Sequence, residues 1–183
     1  IGADLCTVEE AHDFLDNVPE RLDFMGTSCC PAWSVMAKKL FPDFKPYISM
    51  ALTPMVLTGR LIKKEKPNAK VVFIGPCAAK KLEASRKSIR SDIDFVLTFE
   101  EVMGMFEAKV VDLEQLTISE PLTEGTGSGR GFAVSGGVAQ AVKDQILKDH
   151  PDMEVKIQAA EGLKNCKTML MMAKAGRLNG YLL

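Results

Sequence analysis

The sequence predicts an α/β class with a mainly parallel sheet flanked by helices. Three observations carry this. Short β-branched apolar runs at residues 69–74, 95–98 and 155–159 alternate with longer segments of helical period. The run Ala69–Ile74 is nearly continuously apolar, as a strand buried on both faces requires. Turn residues separate the segments, and neither an internal repeat nor a low-complexity linker interrupts them.

Taken in order, residues 7–18 read as a first helix. Thr7 serves as N-cap, Glu10 completes a capping box, and Val8, Ala11, Phe14 and Leu15 form an apolar face. A turn is expected at residues 25–28. Pro31 suits the first turn of a second helix, whose face is Trp33, Met36, Ala37 and Leu40, before Pro42 and Pro46 break the chain. A third helix is expected from Pro54 to Lys64, then the strand at 69–74, a strand at 95–98 and a helix from Glu100 to Ala108. Residues 109–134 read as irregular, with a glycine-rich loop from Glu124 to Gly131. A helix from Gly137 to Lys148, a strand at 155–159, a helix from Leu163 to Ala175 and a final strand from Gly180 complete the chain. Most methionines are expected to fill cores.

Composition narrows the function. The chain has 183 residues, 46% hydrophobic and 26% charged, which suits a folded globular protein. A net charge of −1 gives no general attraction to nucleic acid or an anionic membrane, and the run Lys63, Lys64, Lys66 reads as a solvated helix end. No apolar stretch reaches membrane-spanning length. The N-terminus does not read as a secretory leader, and both ends read as cut. Five widely spaced cysteines (Cys6, Cys29, Cys30, Cys77 and Cys166) fit cytoplasmic thiols or metal ligands better than a secreted disulfide framework. His12 and His150 stand alone, which argues against a histidine metal motif or a Ser-His-Asp triad. The Gly125–Gly129 stretch lacks the Gly-Lys-Ser/Thr that a phosphate loop needs.

Two segments carry chemistry. In Thr27-Ser28-Cys29-Cys30-Pro31-Ala32-Trp33, adjacent cysteines precede an expected helix start, whose partial positive charge favours thiolate, the metal-binding form. A buried apolar pair is the alternative reading. Pro76-Cys77-Ala78-Ala79-Lys80-Lys81-Leu82-Glu83 follows a strand, where ligands of open sheets collect. Lys80 falls near the Cys77 face of a helical turn, suiting an anionic metal centre; a surface lysine pair is the alternative.

Together, the two segments resemble the first and second signatures of [FeFe] (iron-only) hydrogenases, in the family's order and separation. The resemblance extends to Ala3-Asp4-Leu5, Val96-Leu97-Thr98 and Gly136-Gly137-Val138. It implies a protein that interconverts H2 with protons and electrons at an H-cluster, a [4Fe–4S] cubane joined to a two-iron unit. It assigns Cys30 and Cys77 as two of the four cubane ligands and Cys29 as the proton-passing cysteine. Lys80 corresponds to the lysine that holds a cyanide ligand, and Ser49, Glu83 and Glu9 align with the proton path. Ferredoxin or another iron–sulfur carrier is the implied electron partner. Residues 1–183 correspond to a central part of the catalytic domain, without its N-terminal part and the third cysteine signature, so the isolated chain is expected to be inactive. Cys166 is expected to pack within a helix, and Cys6 matches no ligand position. His12 and Asp16 stand where the usual path has a Glu and an Arg, and Gly75 stands where many members place Met against the two-iron unit, leaving a roomier pocket. These departures resemble the sensory branch, so a hydrogen- or redox-sensing module of low turnover is the alternative function. An iron–sulfur binding or assembly protein is a third reading, against which Cys29 and Lys80 argue.

Overall fold

A computed structural model of the protein describes residues 1–117 and 125–183. Part of the segment expected to be irregular, residues 118–124, lies outside the described residues. The order of elements is α1 (Gly2–Asn17), α2 (Pro31–Leu40), α3 (Pro54–Glu65), β1 (Val72–Gly75), α4 (Ala79–Ala84), β2 (Phe95–Thr98), α5 (Phe99–Ala108), α6 (Gly127–Arg130), α7 (Gly137–Asp149), β3 (Lys156–Ile157), α8 (Gly162–Lys174) and β4 (Tyr181–Leu182). The class is α/β, and both described sheets are parallel: β1 pairs with β2, and β3 with β4. The chain divides into two units, Ile1–Leu57 with Gly125–Leu183, and Thr58–Glu124.

In the larger unit the hydrogen bonding extends well beyond β3 and β4. Met25 and Thr27 donate backbone N–H bonds to Tyr181 and Leu183, and Leu183 donates back to Met25. On the other side, Gly26 donates to Tyr47, and Ser49 to Gly26. Gln158 donates to Leu182. Four extended segments thus run side by side in parallel, in the order 47–49, 25–27, 181–183, 156–158. The turn expected at residues 25–28 is, in its first half, an inner strand of this array. Its backbone donors and acceptors find partners on both sides, which overrides the local turn signal of Gly26.

Alternation along the array assigns its side chains to two cores. Met25 and Leu182 point to one face, where Ala11, Phe14, Ala139, Val142 and Ile146 from α1 and α7 cover them. Phe24, Ile48 and Leu183 join the other core with Phe44, and with Ala37, Met169 and Leu170 from α2 and α8. A parallel array apolar on both faces needs helices on both, and here it has them. Gly26 is fixed by this packing: a Cβ there would lie 2.8 Å from Ile48 Cδ1.

Helix α1 begins at Gly2, five residues before the expected start. Thr7 therefore caps nothing; its hydroxyl donates to the Ala3 carbonyl inside the helix. The capping box the structure does contain is at α5, where Thr98 and Glu101 bond reciprocally. Pro31 occupies the first turn of α2 as expected, and residues 42–47 form a 3-10 helix. The glycine-rich stretch holds α6 and a 3-10 turn at Gly131–Ala133. Of the methionines, Met25, Met55 and Met169 are buried, whereas Met50, Met103, Met105 and Met171 are exposed.

In the smaller unit, β1 and β2 run in register from Val72 with Phe95 to Gly75 with Thr98. Phe73 lays its ring over Gly75, within 2.6 Å of where a Cβ would stand. The space that Gly75 leaves is therefore filled by Phe73, not open as the sequence reading expected.

Leu182 is fully buried in the array. Leu182→Ala is expected to cost about 2–5 kcal/mol of unfolding free energy, because a sheet flanked on both faces closes poorly over a cavity. Urea denaturation checks this.

Candidate functional site

The carboxyl ends of the four parallel segments lie at one end of the array, the position at which open α/β sheets bind ligands. A cavity of about 500 Å³ opens there, lined in part by Cys29, Cys30, Trp33, Phe132, Gly136 and Cys166. Cys30 is exposed and forms the N-cap of α2; its sulfur accepts the Trp33 backbone N–H at 3.4 Å. Trp33 is held in turn, its indole N–H donating to the Thr27 carbonyl at 3.1 Å. Cys29 is half-buried on the same cavity. The loop opposite approaches through its glycines. At Gly136 φ is +76°, and a Cβ would meet Ala159 at 2.9 Å.

Cys166 belongs to this cavity too. It lies in α8 (Gly162–Lys174), within a helix as the sequence predicts, and is half-buried on the cavity wall. Its thiol donates to the Ala160 carbonyl at 3.6 Å, and burial together with the charge of Cys30 pushes its pKa up. Among the described residues no three of His, Cys, Asp and Glu form a ready-made metal cage. Cys6 is fully buried in α1.

Against Ser28, the residue before Cys29, lies a carboxyl group that the sequence reading missed. Glu10 is fully buried, and its Oε1 accepts the Ser28 backbone N–H at 2.6 Å. Ser28 Oγ stands 2.7 Å from the same oxygen and 2.8 Å from the Ala51 carbonyl. One hydroxyl proton faces two acceptors. Protonating Glu10 resolves the mismatch: its O–H then donates to Ser28 Oγ, and Ser28 donates to Ala51. Glu10 Oε2 has no partner among the described residues. Burial pushes the Glu10 pKa up to about 7, aided by Asp13 and Glu9 and opposed by the Ser28 bonds. Glu9, the residue singled out from sequence, is exposed and accepts the Leu52 N–H at 3.1 Å. The signal for Glu10 was present: it shares the inward face of α1 with Ala11 and Phe14.

Ser49, also singled out, is buried and donates to Asp13 Oδ2 at 2.6 Å. Asp13 accepts the Asn17 amide at 2.9 Å as well. His12 and Asp16 are exposed, so the carboxylate beside Ser49 is Asp13 and its outer neighbour is Asn17.

In the smaller unit Cys77 is half-buried between the end of β1 and the start of α4. Lys80 and Glu83 pair at 2.7 Å one turn apart on α4, with side chains 13% and 2% exposed. Glu83 thus spends its carboxylate on Lys80.

The comparisons with known proteins bear on what this site serves. The family model described as "Iron only hydrogenase large subunit, C-terminal domain" matches residues 1–183. The chain belongs to the iron-only hydrogenase large-subunit family. It is 32% identical over 157 residues to the periplasmic [Fe] hydrogenase large subunit of Nitratidesulfovibrio vulgaris, covering 76% of this chain and 37% of that one. It is 31% identical over 156 residues to iron hydrogenase 1 of Clostridium pasteurianum, covering 76% and 27%. A probable cytosolic Fe–S cluster assembly factor of Drosophila virilis is 27% identical and covers 99% of this chain and 48% of its own length. An [FeFe]-hydrogenase of Chlamydomonas reinhardtii shares the fold with a TM-score of 0.72 at 23% identity, over 99% of this chain and 64% of that one. The chain thus spans about a third of the hydrogenase relatives' length. Among the described residues no helix is long and apolar enough to cross a membrane.

The raised Glu10 pKa makes a stability prediction. The folded state holds this proton up to about pH 7, whereas an unfolded glutamate releases it near pH 4.5. The Glu10 contribution is therefore fully present below pH 4.5 and is lost as pH rises through about 7. Glu10→Gln keeps an acceptor for Ser28 N–H and adds a permanent donor for Ser28 Oγ. Its melting temperature is expected to match wild type at pH 5 and exceed it at pH 8. Thermal melts across that range check it.

Proposed function

We propose that this chain is a central part of a protein that interconverts H2 with protons and electrons at an H-cluster, with ferredoxin or another iron–sulfur carrier as electron partner. One observation carries the reading. Two adjacent cysteines stand on a cavity at the carboxyl ends of a parallel array, one at a helix N-terminus and the other next in sequence to Ser28, which bonds the buried carboxyl group of Glu10. The donor set fits an iron–sulfur group: cysteine sulfur suits iron, and Cys30 stands exposed on the cavity.

Cys30 and Cys77 would supply cluster thiolates, and Lys80 a cation for its anionic ligands. Glu83 is a positioning residue on this reading, because its carboxylate already holds the Lys80 ammonium. The H-cluster, when bound, supplies the redox chemistry. This chain's own part is moving protons. Cys29 exchanges a proton at its sulfur. Glu10, poised near neutrality, holds the next proton at the carboxyl beside Ser28, and Ser49 with Asp13 leads outward. A cytoplasmic setting accords with five free cysteines.

A second reading, a hydrogen- or redox-sensing module of low turnover, is favoured by one contact. The outer neighbour of Asp13 is Asn17, an amide that does not titrate, so the relay ends on Asp13. Iron–sulfur assembly shares the cluster chemistry but has no use for Cys29 and Glu10.

This chain alone, with two of the four ligands, is expected to hold no complete cluster, so the test is iron and acid-labile sulfide per chain after anaerobic reconstitution of the longer protein, in wild type, Cys30→Ala and Cys166→Ala. Bound cluster is expected to fall by more than about tenfold in Cys30→Ala and by less than about twofold in Cys166→Ala. Equal loss in both would make Cys166 a ligand, and no loss in Cys30→Ala would remove Cys30 from the ligand set. In the longer protein after maturation, carbonyl and cyanide infrared bands with rapid turnover support hydrogenase. The same bands with slow turnover support the sensor, and their absence supports assembly.

A further inference from the structure

Two features of the sequence have no part in the proposed reaction: the glycine-rich stretch that ends at Gly131, and the segment Ala3-Asp4-Leu5 at the start of α1. Folding brings them together within the larger unit. Asp4 Oδ1 accepts the Thr126 hydroxyl, and Asp4 Oδ2 accepts the Thr126 backbone N–H at 3.4 Å. The same hydroxyl caps α6, accepting the Gly129 N–H at 3.0 Å. At Gly129 a Cβ would stand 2.5 Å from Asp4 Oδ1, so a side chain there would push the carboxylate off Thr126. The Thr126 hydroxyl, opposed by burial, holds the Asp4 pKa below the usual carboxylate range, which keeps the acceptor charged.

Helix α6 is only Gly127-Ser128-Gly129-Arg130. A single turn with two glycines is too short and too flexible to hold its shape alone. What fixes it lies outside it: Thr126 and, through Thr126, Asp4. Beyond α6 the chain closes tightly. Val134 donates its N–H to the Gly131 carbonyl at 3.3 Å, and Gly137 donates to the Val134 carbonyl at 3.0 Å. A Cβ at Gly137 would overlap the Gly131 carbonyl oxygen. Gly137 is buried at the start of α7, whose Ala139, Val142 and Ile146 share a core with Ala11 and Phe14 of α1. Residues 131–137 thus form an arch with two feet, one rooted in the core and the other standing on α6. The arch carries Phe132 and Gly136 onto the cavity that it shares with Cys29, Cys30 and Cys166.

We propose that Asp4 is a positioning residue: by gripping Thr126 it sets the outer foot of the arch, and with it the wall of the cavity that holds the cysteines. That the cavity receives an iron–sulfur group rests on the proposed function; the grip of Asp4 on the arch does not. The core foot is secured by apolar burial, so the hydrogen-bonded outer foot is the one a single substitution releases.

The experiment is pulsed labelling of the cluster-free chain with N-ethylmaleimide, each cysteine being followed by peptide mass spectrometry. The cysteines report on different places. Cys29 and Cys166 are half-buried on the cavity, Cys30 is exposed beside them, Cys77 lies in the smaller unit and Cys6 is fully buried in α1. In Asp4→Ala, labelling of Cys29 and Cys166 is expected to rise by about threefold or more, while Cys30 and Cys77 stay within about twofold and Cys6 stays protected. Thr126→Val leaves the 3.2 Å ion pair of Asp4 with the Ile1 amino group in place and is expected to give the same rise. The double variant should add nothing, because both substitutions remove one contact. Asp4→Asn keeps an oxygen for the Thr126 hydroxyl and should stay within about twofold of wild type. A residue that only stabilises the fold would raise Cys6 together with Cys29 and Cys166, the pattern expected of Leu182→Ala. Should Asp4→Ala not fold by circular dichroism, Thr126→Val decides. The proposal is overturned by unchanged labelling of Cys29 and Cys166 in Thr126→Val, by a parallel rise at Cys6, or by additive effects in the double variant. No cluster takes part, so failure here removes Asp4 alone, whereas failure of the reconstitution removes the cluster and leaves the arch.

Discussion

The larger unit depends on one short strand. Residues 25–27 give and receive backbone hydrogen bonds on both sides, to 181–183 and to 47–49, and so join segments far apart in the sequence. Its side chains alternate between two cores, Phe24 and Ile48 below and Met25 and Leu182 above, each closed by its own pair of helices. Where this strand ends, the chain must turn out of the sheet, and the next residues are Ser28, Cys29 and Cys30. The thiols stand where they do because backbone pairing ends there and α2 begins two residues later.

The same strand explains why a carboxyl group is buried beside the thiols. Helix α1 covers the upper core with Ala11, Phe14 and Val18, and Glu10 lies on that inward face. Burying a charged carboxylate is costly. The Ser28 backbone and hydroxyl offset only part of the cost, and the pKa rises to about 7 instead. The core of the fold thereby sets the protonation of a group one residue removed from Cys29.

Much of this was legible in the sequence, but unevenly. The helices starting at Pro31, Pro54 and Gly137 and the strand at Phe95 were readable because proline, glycine and β-branched runs act locally. The two cysteine segments were readable because their residue order is distinctive. Other features were not, for identifiable reasons. Met25 and Gly26 look like a turn until pairing from both sides is counted. Thr7 and Glu10 look like a capping box because the spacing fits; only the extension of α1 to Gly2 turns Thr7 back onto Ala3 and Glu10 inward. Glu9 is singled out instead by its alignment with the family's proton path.

Glu83 shows how a residue's role changes once its partner is seen. Read along the sequence, a Glu near a cysteine and a lysine suits a proton relay. In the fold its carboxylate lies 2.7 Å from the Lys80 ammonium, both groups largely shielded from water. A buried ion pair of this kind is a weak source of stability, because desolvation offsets most of the attraction. Its value is geometric: it fixes a flexible four-carbon side chain in one place. The two buried glutamates differ in their partners, a serine for Glu10 and a lysine for Glu83.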